Sequence, residues 1–116
     1  EKTLLGVDIV KDGKLIARDV NAKKLRKILS KAENWKIILT PIGGNGYVLG
    51  RGNQQIPPDI IAEKGLSSLI IVASPRKIAK LRFLRVDTGD PSLDEKLRGY
   101  VRVITGYNEE EVRKIL

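Results

Sequence analysis

The chain has 116 residues, 41% of them apolar and 31% charged, which is the length of one domain and the composition of a globular protein, neither disordered nor fibrous. It contains no Cys and no His, so a disulfide framework, a thiolate nucleophile, the usual zinc ligands and the usual neutral-pH general base are all excluded. One Trp, one Phe and three Tyr leave an aliphatic core and too few rings for an array of stacking platforms on a nucleic-acid strand, while a net charge of +8 suits an anionic partner.

No run approaches the roughly 18 apolar residues of a membrane helix, and Glu1-Lys2-Thr3 does not resemble a secretory signal, so a cytoplasmic protein is expected. The chain has no Met, even at its start, as expected of a chain that is either processed or, the favoured reading, a piece excised from something longer. Abundant Lys, Arg and Glu without Cys, Met or His matches the composition of a hyperthermophile protein.

In chain order, Leu5 to Val10 and Leu15 to Val20 alternate around Asp12-Gly13, the pattern of a two-residue β-hairpin. Asn21 caps a helix over Ala22 to Ala32, with Leu25, Ile28, Leu29 and Ala32 on one face and Lys23, Lys27 and Lys31 on another. Trp35 to Leu39 reads as a buried strand. Thr40 to Gly46 then breaks regular structure, Tyr47 to Leu49 resumes as a short strand, and Gly50 to Gln55 is a second glycine-punctuated loop. Pro57-Pro58-Asp59 opens a helix that Gly65 closes. Leu69 to Ala73 is a continuous apolar run, expected to be a strand covered on both faces. Ser74-Pro75 starts a helix carrying Arg76, Lys77 and Lys80 outward, and Phe83 to Val86 follows as a strand. Asp90-Pro91 caps a further helix ending at Gly99, and Tyr100 to Ile104 alternates as a strand. In the last segment Asn108 and Glu111 resemble a capping box, which predicts a helix, with an edge strand as the alternative. Together these elements predict one α/β domain over residues 1–116: compact and layered, with a mixed sheet, an N-terminal antiparallel hairpin and four to five short helices.

The positive charge is concentrated in two segments. Lys23 to Lys36 holds six cations against Glu33, and Arg76 to Arg85 holds five with no acid. Each is either a solvated helix face or a site for phosphate, on a polynucleotide or a mononucleotide. Thr40 to Gln55 is the most informative stretch. Its glycines let backbone amides approach an anion; Thr40, Asn45, Asn53, Gln54 and Gln55 add neutral hydrogen-bonding groups, Tyr47 a flat apolar face, and Arg51 a phosphate contact. That inventory suits a nucleotide, although glycines also mark ordinary turns. No P-loop and no G-x-G-x-x-G fingerprint is present. Asp87 and Asp90 admit a metal reading, but Asp90 is better explained as the cap of the helix at Pro91.

Thr40-Pro41-Ile42-Gly43-Gly44-Asn45-Gly46-Tyr47-Val48-Leu49-Gly50-Arg51-Gly52 resembles the T-P-T-G-S-T-A-Y-S-L-S-A-G motif of the NAD kinase superfamily. With Gly50 to Gln55, Leu84 to Asp90 and Gly99 to Tyr107, nearly the entire chain resembles the C-terminal part of the ATP-NAD kinase-like proteins common in archaea, whose bacterial relatives include the acetoin catabolism protein AcoX. The resemblance implies a C-terminal dinucleotide-binding and assembly domain, inactive alone, of an enzyme that phosphorylates NAD to NADP. It gives Thr40, Gly43 and Tyr47 a binding role, and the candidate NAD/NADP site becomes Thr40, Gly43, Gly44, Asn45, Gly46, Tyr47, Arg51 and Asn53. Gly44, Asn45 and Gly46 stand where the motif has Ser, Thr and Ala. The superfamily's G-G-D-G-T-type loop, which carries the phosphate cradle and catalytic Asp, is absent from these residues, so no catalytic residue and no metal ligand is expected here. The implied partners are an N-terminal catalytic domain of the same protein, with ATP or polyphosphate and Mg, and further copies in a homo-oligomer. A basic nucleic-acid-binding module and a structural domain without ligand are the alternatives.

Overall fold

The computed structural model describes residues 6–50 and 56–116. It opens with the expected hairpin, β1 (Val7–Lys11) and β2 (Lys14–Val20), paired antiparallel. Asp12 and Gly13 take φ of 52° and 75°, the left-handed pair that a two-residue turn between twisted strands requires. Asn21 Oδ1 accepts from the Lys24 amide at 3.0 Å and starts α1 (Ala22–Leu29). The helix stops short of Ala32: Lys31 and Ala32 donate three residues back, to Ile28 and Leu29, tightening the last turn until it ends.

After β3 (Ile37–Leu39) and β4 (Tyr47–Leu49) come α2 (Pro58–Lys64), a 3-10 turn over Gly65–Ser68 and β5 (Leu69–Val72). The remaining elements are α3 (Pro75–Ala79), β6 (Phe83–Val86), α4 (Pro91–Leu97), β7 (Gly99–Gly106) and β8 (Glu109–Ile115). Prolines open α2, α3 and α4, where a missing N–H costs no helical bond. Asp90 Oδ1 accepts from the Ser92 and Leu93 amides, so its carboxylate is a helix cap as expected.

Six strands form one mixed sheet in the order β3-β5-β7-β8-β6-β4. Strands β3, β5 and β7 run one way and β4, β6 and β8 the other, with antiparallel pairing only between β7 and β8. The chain's last segment is therefore neither the expected helix nor an edge strand. Asn108 is left-handed, φ 53°, and with Tyr107 it turns the chain back onto β7 instead of capping a helix. Eight-residue β7 offers a full ladder to pair with, and Ile115 is buried at its far end, so tertiary pairing overrides the local capping pattern.

One core cluster joins Ile37 and Leu39 of β3 to Leu49 of β4, with Leu25, Ile61 and Leu97 from α1, α2 and α4. Because β3 and β4 are opposite edges of the sheet, the sheet curls around this cluster. A second cluster gathers Ile71, Leu84, Val103 and Ile115 beneath Ile78 of α3. All four described helices bury their apolar residues on this one side of the sheet. The expectation that Leu69 to Ala73 is covered on both faces thus fails at Val72, which is 37% exposed on the helix-free side.

Candidate functional site

The strand directions bring two distant segments together. The C-terminal ends of β3 and β5 and the N-terminal ends of β4 and β6 share one end of the sheet, so the β3–β4 loop and the β5–α3–β6 connection lie side by side. Ligands of open α/β sheets are usually received at such carboxyl ends.

Pro41 is fully buried and anchors the loop. The Ile42 amide then donates to the Tyr47 carbonyl at 2.8 Å, pinching Gly43 to Gly46 into a tight turn. Gly46 has φ 78°, and a Cβ there would come within 2.7 Å of the Phe83 carbonyl. Its own carbonyl accepts from the Arg85 amide at 2.9 Å, stitching the turn to β6. Gly43 and Gly44 stand at the opposite extreme: a Cβ on either would meet nothing within 4 Å.

That open space is one wall of a shallow cleft of about 280 Å³, lined by Gly43, Gly44, Ser74, Arg76, Lys77, Lys80 and Leu81. Three cations face two bare glycines, and no carboxylate is among the lining residues. Ser74 Oγ accepts from the Lys77 amide at 3.2 Å, holding the start of α3. The far end of α3 is clamped from the sheet: Arg113 Nε donates to the Leu81 carbonyl at 2.8 Å and Nη2 to the Ile78 carbonyl at 3.1 Å. The lining is cationic and the cleft open, the arrangement that receives anionic oxygens.

A family model described as the ATP-NAD kinase C-terminal domain matches residues 1–115. The chain belongs to that family. No match was found among curated proteins, and none among solved structures.

Within this ATP-NAD kinase C-terminal domain, the sequence-predicted residues separate. Gly43 and Gly44 line the cleft. Thr40 and Asn45 are exposed on the same loop, Gly46 is buried beneath β6, and half-buried Tyr47 begins β4. Arg51 and Asn53, with Gln54 and Gln55, lie outside the described residues. Gly50, which leads into them, sits at the other end of β4, where its φ is 81° and a Cβ would strike the Asp87 carbonyl at 1.8 Å. The Gly43–Gly46 turn and Gly50 therefore stand at opposite ends of a three-residue strand.

Ser74, Arg76, Lys77, Lys80 and Leu81 were not among the expected site residues, yet they form most of the cleft. Their sequence signal was the acid-free basic run that follows the apolar strand β5. The other basic segment is partly committed elsewhere. Arg26 makes a two-pronged pair with Asp59 at 2.7 and 3.0 Å, and Lys36 Nζ donates to the Ser67 carbonyl. The Arg26 hydrogen bond holds the Asp59 carboxyl below its ordinary pKa, and raises that of Arg26 in turn. Among the described residues, no group of three carboxylates gathers to hold a metal ion; Asp94 instead accepts from the Thr88 hydroxyl at 2.6 Å.

Proposed function

We propose that this domain holds the phosphate-bearing part of NAD or NADP in the cleft between Gly43-Gly44 and Arg76, Lys77 and Lys80. The observation that carries the reading is the tertiary meeting of bare glycine backbone with three cations unopposed by any acid in the lining. At about 280 Å³ the cleft falls just under the size of a small-molecule pocket. It suits a pyrophosphate and part of a ribose, with the rest of the dinucleotide extending over the exposed loop at Thr40 and Asn45.

Phosphoryl transfer requires a donor phosphate, a metal ion and an acceptor in line. In this reading the domain contributes acceptor binding alone. An N-terminal catalytic domain of the same cytoplasmic enzyme supplies the site for ATP or polyphosphate with Mg, and the 116-residue chain by itself converts no NAD to NADP.

Titration of NAD, NADP and an oligonucleotide into the 15N-labelled chain tests this. Saturable shifts of the Gly43, Gly44, Arg76 and Lys77 amides with NAD or NADP are expected. Absence of saturable shifts with both dinucleotides refutes the reading, as do shifts confined to other residues. Tighter binding of the oligonucleotide, lost steeply with salt, would favour a nucleic-acid module instead.

A further inference from the structure

All three cations of the cleft belong to α3 or to its end: Arg76 and Lys77 lie within the helix and Lys80 is its C-cap. A helix of five residues is far below the length that is stable in water by itself, so its place is set by what it touches. Ile78, fully buried, and Leu81, nearly so, press it onto the second core cluster. Apolar contact is non-directional: it fixes how deep the helix sits and leaves it free to roll about its own axis. Lys77 and Lys80 each immediately precede one of these anchors, so such a roll carries both ammonium groups away from Gly43 and Gly44.

The roll is fixed from the sheet by a residue outside the cleft lining. Arg113 stands on β8 opposite Val101, which packs against the same core cluster, so its side chain leaves the helix-bearing face. Each of its three guanidinium nitrogens donates to a carbonyl: Nε to Leu81 at 2.8 Å, Nη2 to Ile78 at 3.1 Å and Nη1 to Val112 at 2.9 Å. Ile78 and Leu81 are about one helical turn apart, so the fork grips α3 at two points, while the Val112 bond sets the plane of the fork against its own strand. A planar guanidinium makes this grip with one rigid group; an ammonium on a flexible stem is a point donor and does not reproduce it. Glu111 Oε1 lies 3.6 Å from Nη2 and offsets the charge, so what Arg113 gives the cleft is geometry more than potential.

We infer that Arg113 is a positioning residue of the cleft, holding α3 in the one orientation that turns Lys77 and Lys80 toward Gly43-Gly44; this rests on the reading of the cleft as the dinucleotide phosphate site. Two measurements on the 116-residue chain test it, both made well below the melting temperature of each variant. Without ligand, R113M speeds hydrogen exchange at the Ile78, Lys80 and Leu81 amides, while those of β7 keep their protection and show that the sheet is intact. In calorimetric titration with NADP, R113M weakens binding about fivefold although Arg113 touches no ligand. A double-mutant cycle separates positioning from any other cause: in a K77A/K80A chain, R113M costs little further affinity, because the side chains it acts through are gone. R113K keeps the charge and regains only part of the binding. An R113M chain whose α3 amides exchange as in wild type overturns the inference, as does an R113M effect undiminished by K77A/K80A. So does an R113K chain that binds like wild type while its α3 amides exchange as fast as in R113M, since charge alone then suffices. A wild type that binds NADP and responds to K77A/K80A but not to R113M overturns this inference and leaves the cleft reading standing; a wild type that binds no NADP overturns both.

Discussion

Substituting alanine in turn at Gly43, Gly44 and Gly46 separates what this loop does for the fold from what it does for a ligand. Gly46 combines two demands. Its φ of 78° costs an L-residue roughly 1–2 kcal/mol. The added methyl would also sit 2.7 Å from the Phe83 carbonyl, so the turn must lift away from β6. The bond from the Arg85 amide to Gly46 at 2.9 Å is then the first to lengthen, worth about 1 kcal/mol more. G46A should therefore lose about 3 kcal/mol. For a domain of this size that is a fall in Tm of about 12 °C. Gly43, at φ 59° with open space around it, carries the conformational cost alone, about 1 kcal/mol. Gly44 has neither a positive φ nor a neighbour, and G44A should stay within about 0.5 kcal/mol of wild type. Urea denaturation with a common m-value gives all three numbers. In NADP titration the order changes: G44A, harmless to the fold, should weaken binding because its methyl enters the cleft. A G46A chain as stable as G44A would refute the geometry assigned to the loop.

Other perturbations separate charge from architecture. K77A/K80A should weaken NADP binding about tenfold or more, with Tm nearly unchanged because both side chains line an open cleft; calorimetry and a melt read the two effects. R113M removes the donors to the Leu81 and Ile78 carbonyls and should cost about 2–3 kcal/mol in denaturant unfolding, with R113K recovering part of it. Replacing the α4 cap in D90A frees the Ser92 and Leu93 amides and should cost about 1 kcal/mol. Because the folded-state pKa of Asp59 is depressed by Arg26, that pair's small contribution is complete above the ordinary carboxylate pKa and fades as pH falls through the depressed one. D59N should flatten only that acid limb of a Tm-against-pH curve.

Much of the architecture is legible in the sequence. Asp12-Gly13, Asn21, Ser74-Pro75 and Asp90-Pro91 announce their turns and caps because the groups involved are neighbours in sequence. The final segment departs from its local pattern for the opposite reason. Asn108 and Glu111 present a local capping pattern, whereas the partner that makes Glu109–Ile115 a central strand is β7, reached only by folding the chain back.

The candidate site divides along the same line. Glycine spacing marked Gly43 and Gly44, and composition marked Arg76, Lys77 and Lys80 as cations without nearby acids. Nothing in the linear order joined the two groups or separated Gly46 from Gly50. Family membership, the identities of the elements before Glu109 and the two basic segments were determined by the sequence alone, since they depend on residue type and short spacing. Which glycines meet which cations was decided only by the tertiary structure, because the opposed directions of β3 and β4 bring the C-terminal end of one and the N-terminal end of the other to the same end of the sheet.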